Sequence, residues 1–151
     1  MQLNFKHIFP KLSDHSRVWL YLSDRKLDST EQLFAEEKLQ DFLSTWKAHG
    51  KSLNCNGTIL FSQYLILSVD EDIESASGCS IDSSVRFVKL LGVELTVDFF
   101  NRLNVLSWVN ENETRVFSYF EAINSDITYF NPSIQTLGEL RGNWIIKSLR
   151  S

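Results

Sequence analysis

The sequence predicts an α+β fold in which two helices cover one face of an antiparallel sheet. Apolar residues alternate at a spacing of two in 17–23 and 53–61, and recur at helical spacing in 29–46 and 81–91. The segments follow in the order strand, helix, strand, strand, helix. That order suits a ferredoxin-like split βαβ core, here extended by a β-hairpin and a helical C-terminal tail.

Residues 1–15 read as an arm, with Phe5, Ile8, Phe9 and Leu12 as anchors and Pro10 breaking any helix. The first strand runs from Arg17 to Ser23. It sets Val18, Leu20 and Leu22 on one face and Arg17, Trp19, Tyr21 and Ser23 on the other. If the first set packs on the helices, Trp19 and Tyr21 lie on the second face. Ser29 and Gln32 fit a capping box for a helix whose stripe is Ala35, Leu39, Phe42, Leu43 and Trp46, with Gly50 as its stop. In that helix Trp46 is a core residue and His49 sits near the C-terminus. Leu53 to Phe61 and Tyr64 to Val69 form a strand pair joined at Ser62-Gln63, the second strand buried on both faces. An acidic loop, Asp70 to Gly78, leads to a helix marked by Ile81, Val85, Val88 and Leu91 and stopped by Gly92. Thr96 caps a short helix over 98–103, and a hairpin follows around 110–113. Ile127 to Phe130 is one more short strand, and 137–149 a helical tail that contains Gly138 and Gly142. The whole is a single domain, 1–151, with an arm (1–15), a βαββα core (16–104) and a C-terminal hairpin and tail (105–151).

Composition narrows the function. The formal charge is −4, and a net acidic chain repels a phosphate backbone, so no nucleic acid is expected. No apolar run approaches the ~20 residues of a membrane span, and the N-terminus lacks a signal peptide's apolar core. A cytoplasmic protein with no membrane insertion is the expectation. Cys55 and Cys79, the two cysteines, form no CxxC pair, so no disulfide framework is expected. No phosphate loop, dinucleotide fingerprint, zinc-protease helix or nucleophile elbow is written in the chain. No cofactor follows from it, and no metal site is assigned.

The unusual residues gather in Gly78-Cys79-Ser80-Ile81-Asp82-Ser83-Ser84. Cys79 stands at a helix mouth, where free N–H groups and the dipole favour a thiolate. His49 as base and Asp70 or Asp82 as its orienting group would complete a nucleophile set. The simpler reading makes Cys79 a small packing residue, since the acidic loop opposes a thiolate. Gly78, Cys79 and Ser80 can also cradle an anion at the helix N-terminus, against the plain alternative of an ordinary cap. Asp70, Asp72 and Asp82 suit a hard cation, against a solvated acidic loop. Arg17, Trp19 and Tyr21 combine charge and aromatic surface, which marks an interface.

Four segments together resemble a family of short Bacteroidetes proteins often labelled "ABC transporter ATPase". They are Arg17-Val18-Trp19-Leu20-Tyr21, Trp46-Lys47-Ala48-His49-Gly50, Leu67-Ser68-Val69-Asp70-Glu71 and Gly78-Cys79-Ser80-Ile81-Asp82-Ser83-Ser84-Val85. The resemblance covers roughly residues 15–105 and extends loosely into the C-terminal third. It carries no catalytic residues over, because the Walker A, Walker B and signature motifs of a transporter ATPase are absent. The sequence thus favours a non-enzymatic module that binds a ligand or protein, with a homodimer through the sheet face bearing Trp19 and Tyr21. The second reading is an enzyme, or a small-anion or metal site, centred on Cys79 with His49 and Asp70 or Asp82.

Overall fold

A computed structural model describes residues 3–147. Strands β1 (Arg17–Leu22), β4 (Asn54–Leu60) and β5 (Tyr64–Asp70) form a three-stranded sheet in the order β1-β5-β4, antiparallel throughout. Helices α1 (Ser29–Thr45) and α2 (Gly78–Leu95) pack on one of its faces. Between α1 and β4 a small hairpin of β2 (Lys47–Ala48) and β3 (Lys51–Ser52) projects. The C-terminal third supplies β6 (Asn104–Asn110), β7 (Glu113–Ser118), α3 (Tyr119–Ile123), β8 (Tyr129–Phe130), α4 (Leu137–Asn143) and β9 (Ile145–Ile146). Its strands make a separate four-stranded sheet, β7-β6-β8-β9. The fold is α+β. The ferredoxin-like sheet is not formed, because β6, which follows α2, joins the second sheet instead of lining up beside β1.

The central sheet is apolar on both faces, since every residue of β5 is buried. Leu65, Leu67 and Val69 meet the helices, together with Trp19 and Tyr21 of β1. Tyr64 and Ile66 face the other way with Val18 and Leu22. This reverses the expected facing of β1. A spacing of two shows which residues share a face, not which face receives the helices. The larger aromatic pair fills the gap under the helices, where Trp19 meets Trp46 at 5.9 Å and Tyr21 meets Phe100 at 5.5 Å. The second face is covered by the N-terminal arm and the C-terminal third of the same chain, through Phe5, Leu12, Leu106, Phe130, Leu140 and Trp144. Neither sheet face is left open for the expected dimer.

Local chemistry sets the helix ends. Asp28, not Ser29, caps α1, in a reciprocal capping box with Glu31. The Arg25 fork donates to both Glu31 oxygens at 2.9 and 2.8 Å, and with the Asp28 N–H holds that carboxyl down to about 2. Helix α1 ends at Thr45, so His49 belongs to no helix. His49 (φ 52°) and Gly50 (φ 77°) form the left-handed turn of the β2–β3 hairpin. The Trp46 indole N–H donates to Ser80 O at 2.8 Å, tying the end of α1 to the start of α2. Gly92 does not stop α2, which runs on to Leu95 and closes on a left-handed Thr96. Gly92 is needed because a Cβ there would lie 2.8 Å from Val97 O. Thr96 is used as this C-cap, and the short helix expected over 98–103 does not form. The tail is helical only over α4; residues 148 and 149 of that expectation lie outside the described residues. No helix among the described residues is long and apolar enough to cross a membrane.

Candidate functional site

The first candidate is the mouth of α2. Ser77 is the N-cap, and Ser77 and Ser80 satisfy each other's N–H groups in a capping box. Ser80 is buried, with its hydroxyl donating to Ser77 O at 2.8 Å. Its side chain is therefore committed to the cap. Gly78 and Cys79 are exposed, and the Cys79 thiol makes no hydrogen bond or ion pair among the described residues. His49 is exposed at the tip of its hairpin and Asp82 is exposed on α2, neither side chain with a polar partner among the described residues. No hydrogen bond or ion pair joins Cys79, His49 and Asp82, so the nucleophile set is not assembled. Cys55 is half-buried, its thiol 3.6 Å from Leu43 O, and burial pushes its pKa up, away from the thiolate.

Asp70 closes β5 and serves the arm. Its Oδ2 accepts the Ser13 N–H at 3.2 Å and its Oδ1 accepts the Asp72 N–H at 3.1 Å. Burial alone would raise this carboxyl; the two N–H donors outweigh it and hold it below its ordinary value. His15 joins the group through Nε2, 2.7 Å from Asp72 Oδ1. His15, Asp70 and Asp72 place ligand atoms within 4.8 Å of one another, the one such trio among the described residues. Asp82 is not among them. Ser13 Oγ lies 3.2 Å from the same Nε2 that meets Asp72. A Ser-His-Asp relay needs the two different ring nitrogens, so this arrangement is no catalytic triad. It works as a latch between arm and strand end.

The latch has a pH signature. The Asp72 hydrogen bond, then its charge, raises the His15 pKa above 6.5. A raised folded pKa means that the imidazolium contributes fully below 6.5 and that this contribution fades as pH rises through the folded value. Asp70 has the opposite sign: its contribution is present above 3.8 and fades as pH falls through its lowered folded value. The imidazole is exposed, so salt screens the pair. An NMR titration of His15 is expected to give a value above 6.5 that returns toward 6.5 in Asp72→Asn. Identical titration curves for the two proteins would remove the latch.

The second candidate is a cleft along the outer edge of β1. One part, of about 580 Å³, is bordered by Arg17, Trp19, Arg102 and the segment Pro132–Thr136. A second, of about 230 Å³, shares Leu20, Tyr21, Arg102, Pro132 and Ser133 with it and runs on past Phe99 and Asn104. The predicted trio Arg17, Trp19 and Tyr21 thus meets at one place, but at the rim of a cleft and not on an open sheet face. The Arg17 guanidinium lies 4.8 Å over the Trp19 ring and 3.6 Å from Glu71 Oε1. Tyr21 is buried, which raises its phenol pKa against the opposing pull of the Ser84 hydroxyl and the Arg102 charge. Arg102 is exposed and its side chain makes no ion pair or hydrogen bond among the described residues. Sequence reading missed it because a lone cation between Phe100 and Leu103 looks like ordinary surface; only the fold brings it beside β1.

What the fold and the cleft define is a small α+β domain with a two-arginine groove on a strand edge. Comparisons with protein-family models, with curated proteins and with solved structures find no match to this chain.

Proposed function

We propose that this domain is a non-enzymatic binding module that holds a carboxylate-bearing ligand in the cleft along the outer edge of β1. The observation that carries this reading is that Arg17 and Arg102 line one cleft in a chain of net charge −4. A guanidinium is a planar donor suited to a carboxylate. Among the described residues Arg102 has no partner to give up, so a ligand gains its charge-assisted bonds without breaking existing ones there. The α2 mouth competes poorly, because the Ser80 N–H is already taken by the Ser77 hydroxyl and the carboxylates of Asp70 to Glu74 lie in the loop before it.

Titration of nitrogen-15-labelled protein with glutarate at low ionic strength is expected to move the amide signals of Leu20, Arg102 and Ser133. Arg102→Gln should abolish those shifts. Shifts centred on Gly78 to Ser80, or no shifts at all, would sink the reading.

A further inference from the structure

The outer edge of β1 is paired over one step only. Arg17 and Thr136 form an isolated antiparallel bridge, flanked by Val18 N–H donating to Gln135 O at 3.0 Å and Leu137 N–H donating to Ser16 O at 2.9 Å. The ladder then stops. The Gln135 N–H turns away to Glu139 Oε1 at 3.2 Å, and Pro132 has no N–H with which to continue. In an antiparallel sheet alternate residues direct their N–H and C=O groups to opposite sides. Since Val18 N–H points away from β5, so do Val18 C=O and both backbone groups of Leu20. None of the three has a hydrogen-bond partner among the described residues, and the cleft is lined by both residues. An unpaired strand edge is a template for another strand.

We infer that the cleft takes an extended acidic peptide, added as a further strand along β1 with a carboxylate on Arg102; this rests on the carboxylate-binding reading above. From Val18 to Leu22 the edge is about 14 Å long at about 3.4 Å per residue, which fits about four or five peptide residues. Backbone pairing gives such a complex its affinity, and the side-chain contacts give it selectivity. Charge chooses the occupant. A second copy of this chain pairing edge to edge about Leu20 would bring the Arg102 side chains of both copies to one groove, a like-charge contact that opposes it. Single-stranded nucleic acid needs open aromatic faces for stacking. Trp19 instead packs against Trp46 and beneath Arg17.

The test uses the full chain and a Val-Asp-Val-Asp-Val-amide peptide carrying fluorescein on its N-terminal amine, followed by fluorescence anisotropy. The expected result is binding at least about tenfold tighter than glutarate, a difference of about 1.4 kcal/mol. N-methylation of alternate peptide nitrogens should lower affinity by about tenfold or more, because it removes the strand donors without touching the protein, and Arg102→Gln should lower it by a similar factor. If glutarate binds but N-methylation is without effect, the strand addition is wrong and the carboxylate site stands. If neither probe binds, both readings fail. Oligothymidylate displacing the peptide at equal concentration, or a β1-edge dimer in sedimentation that the peptide dissolves, would give the edge to nucleic acid or to a second copy and overturn the inference.

Discussion

Replacing Trp144 by alanine is expected to lower the unfolding free energy by about 3–5 kcal/mol, the usual cost of emptying a buried Trp site. Trp144 is 2% exposed and stands at the centre of the second core. Its ring meets Phe130 at 4.6 Å, Phe5 at 5.1 Å and Tyr64 at 5.3 Å. These partners come from the C-terminal third, the arm and β5, so one side chain joins three parts of the chain. The cavity cannot collapse easily, because Tyr64 is fixed in the middle strand of the central sheet. Trp144→Phe gives the contrast. The indole Nε1 is buried without a hydrogen-bond partner among the described residues, and a buried unpaired donor costs about 1–3 kcal/mol. Phenylalanine removes that donor while keeping a ring, so its net cost should stay below about 1.5 kcal/mol. Urea unfolding of the two variants checks the ordering; equal losses would mean that ring packing is not what Trp144 supplies.

The two cores account for what the sequence made legible and what it did not. The strands β1, β4 and β5 were readable because alternation and β-rich composition agree there, and the Tyr64 to Val69 run correctly implied burial on both faces. Its consequence for Trp19 and Tyr21 was not readable. When both faces of a sheet are apolar, periodicity no longer says which one takes the helices. Glycines misled in the same way. Gly50 and Gly92 both looked like helix stops, but Gly50 turns a hairpin and Gly92 leaves room for the Val97 carbonyl inside a continuing helix. At α1 a better cap outcompeted a plausible one: Asp28 with Glu31, braced by Arg25, displaced Ser29 with Gln32.

The candidate site divides along similar lines. The Arg17, Trp19 and Tyr21 face was visible because three unusual residues alternate on one strand. Arg102 was invisible, since it is 85 positions from Arg17 (102 − 17) and only tertiary folding makes them share a cleft. The Cys79, His49 and Asp82 grouping failed for the converse reason. Each residue type suited nucleophilic chemistry, but a hairpin tip and a capped helix mouth hold them with no hydrogen bond or ion pair between them. Residue chemistry proposes such a set; only geometry can assemble it.

Arg141 clamps the arm that covers the second face of the central sheet, and Arg141→Leu is expected to release that clamp. The Arg141 guanidinium donates to the carbonyls of Ile8 at 3.0 Å, Phe9 at 2.6 Å and Leu12 at 2.9 Å, and to Asp14 Oδ1 at 2.8 Å. Its side chain is only 14% exposed, so these bonds are shielded from water. Leucine would fill much of the volume but leave three carbonyls without their donor. Charge-assisted hydrogen bonds contribute about 1.5–3 kcal/mol each before coupling, so a net loss of about 3–5 kcal/mol is expected. The arm also contains a left-handed Phe9 at φ 50°, a conformation that costs a non-glycine residue about 1–2 kcal/mol and persists only under such constraint. Once the clamp is gone, Phe9 should relax and the Ile8 and Leu12 amides, which donate to Phe5 O and Phe9 O, should lose hydrogen-exchange protection first. Arg141→Lys should recover part of the stability, since an ammonium keeps the charge but cannot span three carbonyls with a planar fork. Unchanged exchange at Ile8 and Leu12 in Arg141→Leu would show that the apolar contacts of Phe5 and Leu12 hold the arm alone.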